Sequence, residues 1–143
     1  TGRQARAHLR GLADLAPGCD VVVCGRDATR AAELAREASG LGLVAASAAA
    51  AREVEAAVAN ARLVITATSS RTPVITDQVR DDVLVVAVGN YRAVASELPP
   101  ALVRRSRLYV DAGHGARHEA GELLCADADW SRVQALDDGS EWT

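Results

Sequence analysis

Hydrophobic positions along the 143-residue chain alternate between two periods. Over residues 3–15, Ala5, Leu9, Leu12 and Leu15 recur at helical spacing and share an inward face, and Pro17-Gly18 stops the helix. Val21-Val22-Val23-Cys24 then forms an unbroken apolar run, the pattern of a strand covered on both faces. Beyond Gly25-Arg26-Asp27 the helical period returns over 28–38 through Ala31, Leu34, Ala35 and Ala38, with Asp27 as N-cap. A short strand is expected at Leu43-Val44-Ala45, and a helix over 51–59 with Val54, Ala57 and Val58 inward. The alanine-rich residues 45–51 read as a strand end and a helix start, not as a linker. Three further strands are predicted at Leu63-Val64-Ile65, over 83–88, and at Leu108-Tyr109-Val110, the last of the chain. Pro99-Pro100 opens a short helix and residues 116–124 form another.

Strands alternating with helices imply βαβ units and a parallel sheet. Right-handed crossovers collect the strand C-termini at one edge, where open α/β sheets bind ligands. Four turns fall there: Gly25-Arg26-Asp27, residues 66–70, Gly89-Asn90 and residues 111–115. They are rich in glycine and small hydroxyl residues, as a dinucleotide site requires. Thr1-Gly2-Arg3-Gln4-Ala5 reads as the end of a G-x-G-x-x-G/A fingerprint, with Gly2 in the second place and Ala5 in the third. Its first glycine and the strand feeding the turn would precede Thr1. The helix starting near Arg3 points free N–H groups at a pyrophosphate. The fold class is therefore α/β, a Rossmann-like parallel sheet with flanking helices that lacks its first strand. The whole chain, residues 1–143, is expected to be one dinucleotide-binding domain, truncated at its N-terminus. The neighbours of the missing strand should lack ladder partners on one side.

The cofactor-binding candidates are Thr1, Gly2, Arg3 and Gln4 at the first turn and Arg26, Asp27 and Arg30 at the second. Thr66, Ala67, Thr68 and Ser69 follow at the third, and Val88, Gly89 and Asn90 at the fourth. The competing reading of the hydroxyl cluster is an ordinary Ser/Thr turn, and that of Gly89 a plain strand terminator. NAD-selective domains place a carboxylate at the tip of the second strand. Here the tip is Cys24-Gly25-Arg26, and Arg26 presents a planar fork suited to a 2′-phosphate. NADPH is the expected cofactor, with NADH as the alternative in which Asp27 takes the ribose hydroxyls.

Composition narrows the chemistry. All 16 basic residues are arginine, so no lysine of this chain can form a Schiff base or act as an acid/base. Net charge −3 and a pI near 5.6 argue against a nucleic-acid surface. No apolar run is long enough to span a membrane. Cys19, Cys24 and Cys125 have no metal or redox spacing and read as reduced and mostly buried, which suits a cytoplasmic protein. His114, His118 and Glu122 lie at i, i+4 and i+8, a metal-like spacing, but Gly113 and Gly115 bracket His114 and place it in a loop; no metal is expected. Glu119 and Glu122 read as helix-surface or inter-domain charges, and Glu97 as structural or functional alike.

Taken in order, T-G-R-Q-A-R-A-H-L, G-R-D, T-A-T-S-S-R-T-P-V, V-G-N-Y-R-A-V-A-S-E-L-P-P, V-D and H-E-A-G-E-L-L resemble the ornithine cyclodeaminase/mu-crystallin family over nearly the whole chain. The fourth and last motifs are most similar to its bacterial cyclic ketimine reductases. The resemblance implies an NAD(P)H-dependent oxidoreductase that reduces pyrroline-2-carboxylate or piperideine-2-carboxylate to proline or pipecolate. It also implies a second domain, absent here, that carries dimerisation and most contacts to the imino acid, including a lysine and an arginine. The chain alone should then be inactive and its parent a homodimer, with no nucleic-acid or membrane partner. The alternatives are a non-catalytic mu-crystallin-like NADPH-binding module and an ornithine cyclodeaminase-type lyase. In the lyases an acidic residue follows the strand-end glycines; Tyr91 occupies that position here, which argues against cyclodeamination.

Overall fold

Helix α1 (Arg3–Leu15) forms as its spacing predicts, burying Leu9 and half-burying Ala5, Leu12 and Ala13. Leu15, expected inward, is 87% exposed. It sits on the last turn, where the Ala16 N–H closes onto the Leu12 carbonyl and Gly18, at φ 76°, turns the chain away. Strand β1 (Asp20–Cys24) follows, then α2 (Ala28–Gly40) and β2 (Val44–Ala48), which begins and ends later than its apolar pattern suggested. β1 and β2 pair in parallel from Asp20↔Val44 to Cys24↔Ala48. Leu9, Val23, Ala31, Leu34, Ala35, Ala38 and Leu43 form the core cluster, and the alanines let α2 lie close to the strands. Arg6 donates to both carboxylate oxygens of Glu37 at 2.8 Å and ties α1 to α2. These bonds hold the Glu37 carboxyl below the ordinary range. The pair's small stabilising effect is therefore present above the unfolded-state value and fades as pH falls through the lower folded one.

β1 is not covered on both faces as its apolar run suggested. The helices pack on the side carrying Val21 and Val23, leaving Val22 46% and Val44 60% exposed on the other. Cys24 and Cys125 are exposed and Cys19 half-buried, all as free thiols, which corrects the expectation of burial. Cys24 belongs to that uncovered face of β1.

After α3 (Ala51–Asn60), whose Glu53 accepts the N–H groups of Ala49 and Ala50, β3 (Leu63–Thr66) pairs in parallel with β4 (Leu84–Ala87). Among the described residues no ladder joins β1 to β3. α4 (Pro100–Arg105) leads to β5 (Leu108–Val110). The helix expected over 116–124 is two helices, α5 (Gly113–Glu119) and α6 (Gly121–Cys125), broken where Ala120 leaves helical geometry at ψ 79°. β5 is not the last strand. A 3₁₀ turn (Trp130–Arg132) leads into β6 (Val133–Ala135), too short to show a period, which pairs with β5 in parallel.

The structure, a computed structural model, describes residues 2–88 and 92–136. They fall into two compact units, Thr1–Thr68 with Gln78–Val88, and Ser69–Asp77 with Gly89–Thr143. Among the described residues no helix is long and apolar enough to cross a membrane.

Leu34 is 1% exposed at the centre of the core cluster. Leu34→Ala should cost about 2–5 kcal/mol in urea denaturation, through lost burial and the cavity left behind. Leu15→Ala should cost less than about 0.5 kcal/mol. Similar losses at the two positions would contradict this placement of the core.

Candidate functional site

The C-terminal ends of the ladders hold most of the candidate residues. In the first ladder the Gly25 N–H extends the pairing by donating to the Ala48 carbonyl at 3.1 Å, so the chain turns into Arg26 and Asp27 directly at the strand end. Asp27 is the N-cap of α2, its Oδ1 accepting the Arg30 N–H at 3.1 Å, and its Oδ2 lies 3.4 Å from Arg30 Nε. The structure thus brings Asp27 and Arg30 together. Arg26 is exposed, and no ion pair engages it among the described residues.

α1 begins on Gly2, which is extended and offers no side-chain cap. The N–H groups of Arg3, Gln4 and Ala5 precede the first intrahelical bond, from the Arg6 N–H to the Gly2 carbonyl, and so have no acceptor within the helix. Arg3 and Gln4 are exposed, and a Cβ built on Gly2 would meet nothing within 4 Å. This end of α1 is open, uncapped and polarised positive, the physical requirement for holding a phosphate.

In the second ladder the Thr66 carbonyl accepts the Val88 N–H at 2.9 Å, placing these two candidates side by side. Thr66 is 4% exposed, and its Oγ1 is buried without a hydrogen-bond partner. It is the last residue of β3 and not part of a surface Ser/Thr turn. A buried hydroxyl without a partner costs about 1–3 kcal/mol, so its retention at a strand end points to a ligand that would satisfy it. Ala67 is half-buried and Thr68 exposed. Ser69 is exposed and belongs to the second unit. Thr1, Gly89 and Asn90, with Tyr91, lie outside the described residues.

Within the second unit the structure reveals a polar centre that sequence reasoning missed. Glu122 is not a free surface charge. Its Oε1 accepts the Glu97 N–H at 3.0 Å, and its Oε2 accepts the Leu98 N–H at 3.1 Å and lies against the Ser96 hydroxyl. Glu97 itself is completely buried. The signal available in the sequence was the pairing of S-E-L with G-E-L-L, two polar islands in apolar surroundings. His114 lies inside α5, correcting its placement in a loop, and its ring meets that of His118 edge-on at 6.2 Å. Glu122 is committed to the 96–98 segment, and among the described residues no three His, Cys, Asp or Glu side chains form a metal-binding group.

Thr66→Val should leave the ligand-free protein as stable as before, or more stable by up to about 1–3 kcal/mol, because it removes an unsatisfied buried hydroxyl. Thermal unfolding without ligand measures this. A clear loss of stability would mean that Oγ1 has a partner.

The family model for the ornithine cyclodeaminase/mu-crystallin family matches residues 1–137. Delta(1)-pyrroline-2-carboxylate reductase 1 of Burkholderia multivorans is 41% identical over 140 residues, which cover 96% of this chain and 43% of that protein. The Delta(1)-pyrroline-2-carboxylate/Delta(1)-piperideine-2-carboxylate reductase of Azospirillum brasilense is 40% identical over the same shares. The chain thus spans less than half the length of the curated relatives it matches. Among solved structures, Thermococcus litoralis Delta(1)-pyrroline-2-carboxylate reductase, determined with NADH and L-proline, superposes with a TM-score of 0.85 at 27% identity, over 94% of this chain and 43% of that one. A probable ornithine cyclodeaminase from Bordetella pertussis, at a TM-score of 0.65 and 22% identity over 95% of this chain and 52% of that one, shares the fold. By the reach of the family match and the identity to these relatives, the chain belongs to the ornithine cyclodeaminase/mu-crystallin family.

Proposed function

We propose that this chain is the dinucleotide-binding part of a longer polypeptide that reduces a cyclic imino acid, pyrroline-2-carboxylate or piperideine-2-carboxylate, to proline or pipecolate. The carrying observation is a conjunction. A chain 40–41% identical to named reductases of these imino acids presents, at its strand ends, an uncapped helix start and a buried hydroxyl with no partner. Those features fit a nicotinamide dinucleotide. Gly2, Arg3 and Gln4 would hold its pyrophosphate at the start of α1, with Thr1 completing the turn. Thr66 and Val88 would line the strand end, joined by Ala67, Thr68, Ser69, Gly89 and Asn90. When bound, the cofactor supplies the hydride that the imine carbon accepts. The residues of this chain bind and orient. The groups that hold the imino acid and protonate its nitrogen are assigned to the remaining part of the polypeptide, which would also carry dimerisation. A strand preceding Thr1 would fill the gap between β1 and β3, supported by the absence of a β1–β3 ladder among the described residues. By this reading the 143-residue chain alone turns over no imino acid.

The finer reading is a preference for NADPH. Asp27 spends its carboxylate on the α2 N-terminus and Arg30, which leaves Arg26 as the exposed group at the β1 tip. A guanidinium there matches a 2′-phosphate. The solved relative holds NADH, so the two cofactors must be compared directly.

In the intact protein, pyrroline-2-carboxylate and reduced cofactor should give steady-state turnover. Arg26→Ala should weaken NADPH binding by roughly tenfold or more, about the loss of one charge-assisted contact, and leave NADH nearly unchanged. Fluorescence titration of both cofactors measures this. A wild-type preference for NADH, or equal losses for both, would reject the phosphate assignment; no turnover of either imine would reject the reductase.

A further inference from the structure

The structure removes an obstacle that the sequence set against a pairing of histidines. Gly113 and Gly115 suggested that His114 lies in a loop, out of line with His118. Both instead belong to one helix, α5 (Gly113–Glu119), at i and i+4. That spacing sets the two side chains one above the other on the same helix face. Their rings meet edge-on, with centres 6.2 Å apart. Both residues are exposed, and neither ring makes a hydrogen bond or ion pair among the described residues. Ala116, two residues from each, lies on the opposite face and is buried.

The surroundings leave the pair to itself. Arg117 turns its guanidinium onto the Trp130 ring, 5.0 Å from the centroid, so its charge is drawn to an aromatic face. Glu122, one turn beyond His118, is held by the N–H groups of Glu97 and Leu98. No third His, Cys, Asp or Glu joins them among the described residues. Two imidazoles one turn apart are the part of a metal-binding set that a single helix supplies. A metal about 2.1 Å from a ring nitrogen stands roughly 3 Å from the ring's centre, so one ion bridges two rings at about the separation seen, after small χ rotations. Imidazole nitrogen selects late first-row ions, Ni²⁺, Cu²⁺ and Zn²⁺, over Mg²⁺ and Ca²⁺, which take oxygen.

We propose that His114 and His118 form a two-histidine site for a late first-row transition-metal ion, with water in its remaining positions. The bound ion clamps one turn of α5. That turn lacks support of its own: a seven-residue helix with glycines at 113 and 115 is weak by propensity and too short to hold itself. Binding that requires the helical spacing of the pair stabilises the helix by linkage. The site lies wholly within the second unit and takes nothing from the cofactor.

The test uses the intact protein with Ni²⁺ as the probe, read by calorimetry and by amide hydrogen exchange over residues 116–120, where the Ala116 and Ala120 N–H groups bond back along α5. In wild type, saturating Ni²⁺ should slow that exchange by about tenfold or more, and Mg²⁺ should leave it unchanged. His114→Ala and His118→Ala should each weaken Ni²⁺ binding at this site by about tenfold or more and abolish the slowing, because one imidazole alone bridges no turn. His8→Ala should change neither readout. His8 is the remaining histidine of the chain, lies in α1, and already has its Nδ1 on the Gln4 carbonyl at 2.8 Å. Both α5 histidines are exposed, so their removal should cost little stability; glutamine at either position carries the comparison where alanine does not fold. No slowing in wild type would overturn the clamp. Slowing that survives either α5 substitution, or that is lost with His8→Ala, would place the metal elsewhere and overturn the pair as its site. The same slowing with Mg²⁺ would overturn ligation by imidazole.

Discussion

Two parallel strands cannot be joined by a tight turn, so each return of this chain to a ladder requires a crossover. That constraint organises the molecule. α2 carries the chain from β1 to its partner β2, and the strands then end together, in register, at Cys24 and Ala48. β3 and β4 likewise end together at Thr66 and Ala87. Residues far apart in sequence therefore leave their ladders side by side, as the Val88 N–H on the Thr66 carbonyl demonstrates. At these ends lie the buried Thr66 hydroxyl, which has no partner, and, at the start of α1, the backbone N–H groups that precede the first intrahelical bond.

The first half of the chain was legible because each helix there has a full amphipathic period and α2 has a usual aspartate cap. α1, α2 and α3 lie where their alanines and leucines place them, and Asp27 caps α2 as its position before the helix requires. Period alone could not tell how many faces of β1 are covered. Val22 is as apolar as Val23, and only the packing of both helices on one side separates them. The later part was harder to read because its elements are short. Three residues, Val133 to Ala135, carry no period, and the helix break at Ala120 is marked only by the single Gly121 that opens the next helix.

The candidate residues could be named by type, but not their surroundings in the fold. Small hydroxyls at a strand end announce a ligand edge, but which of them is buried depends on the register of β3 with β4, and it is Thr66. Glu122 looked like a surface charge because helical spacing says nothing of a loop folding back from 26 residues earlier. Such long-range satisfaction of buried polar groups is invisible to local pattern. It explains a carboxylate beside a glycine at the start of a five-residue helix.

Under the proposed function, hydride passes directly from the bound cofactor to an imino acid held by another part of the polypeptide. The decisive measurement uses the intact protein, pyrroline-2-carboxylate, and reduced nicotinamide cofactor carrying deuterium at both C4 positions, with the product analysed by mass spectrometry and NMR. The account predicts proline carrying one deuterium, at C2. Consumption of the imine with no deuterium in the product, or no proline at all, would contradict it.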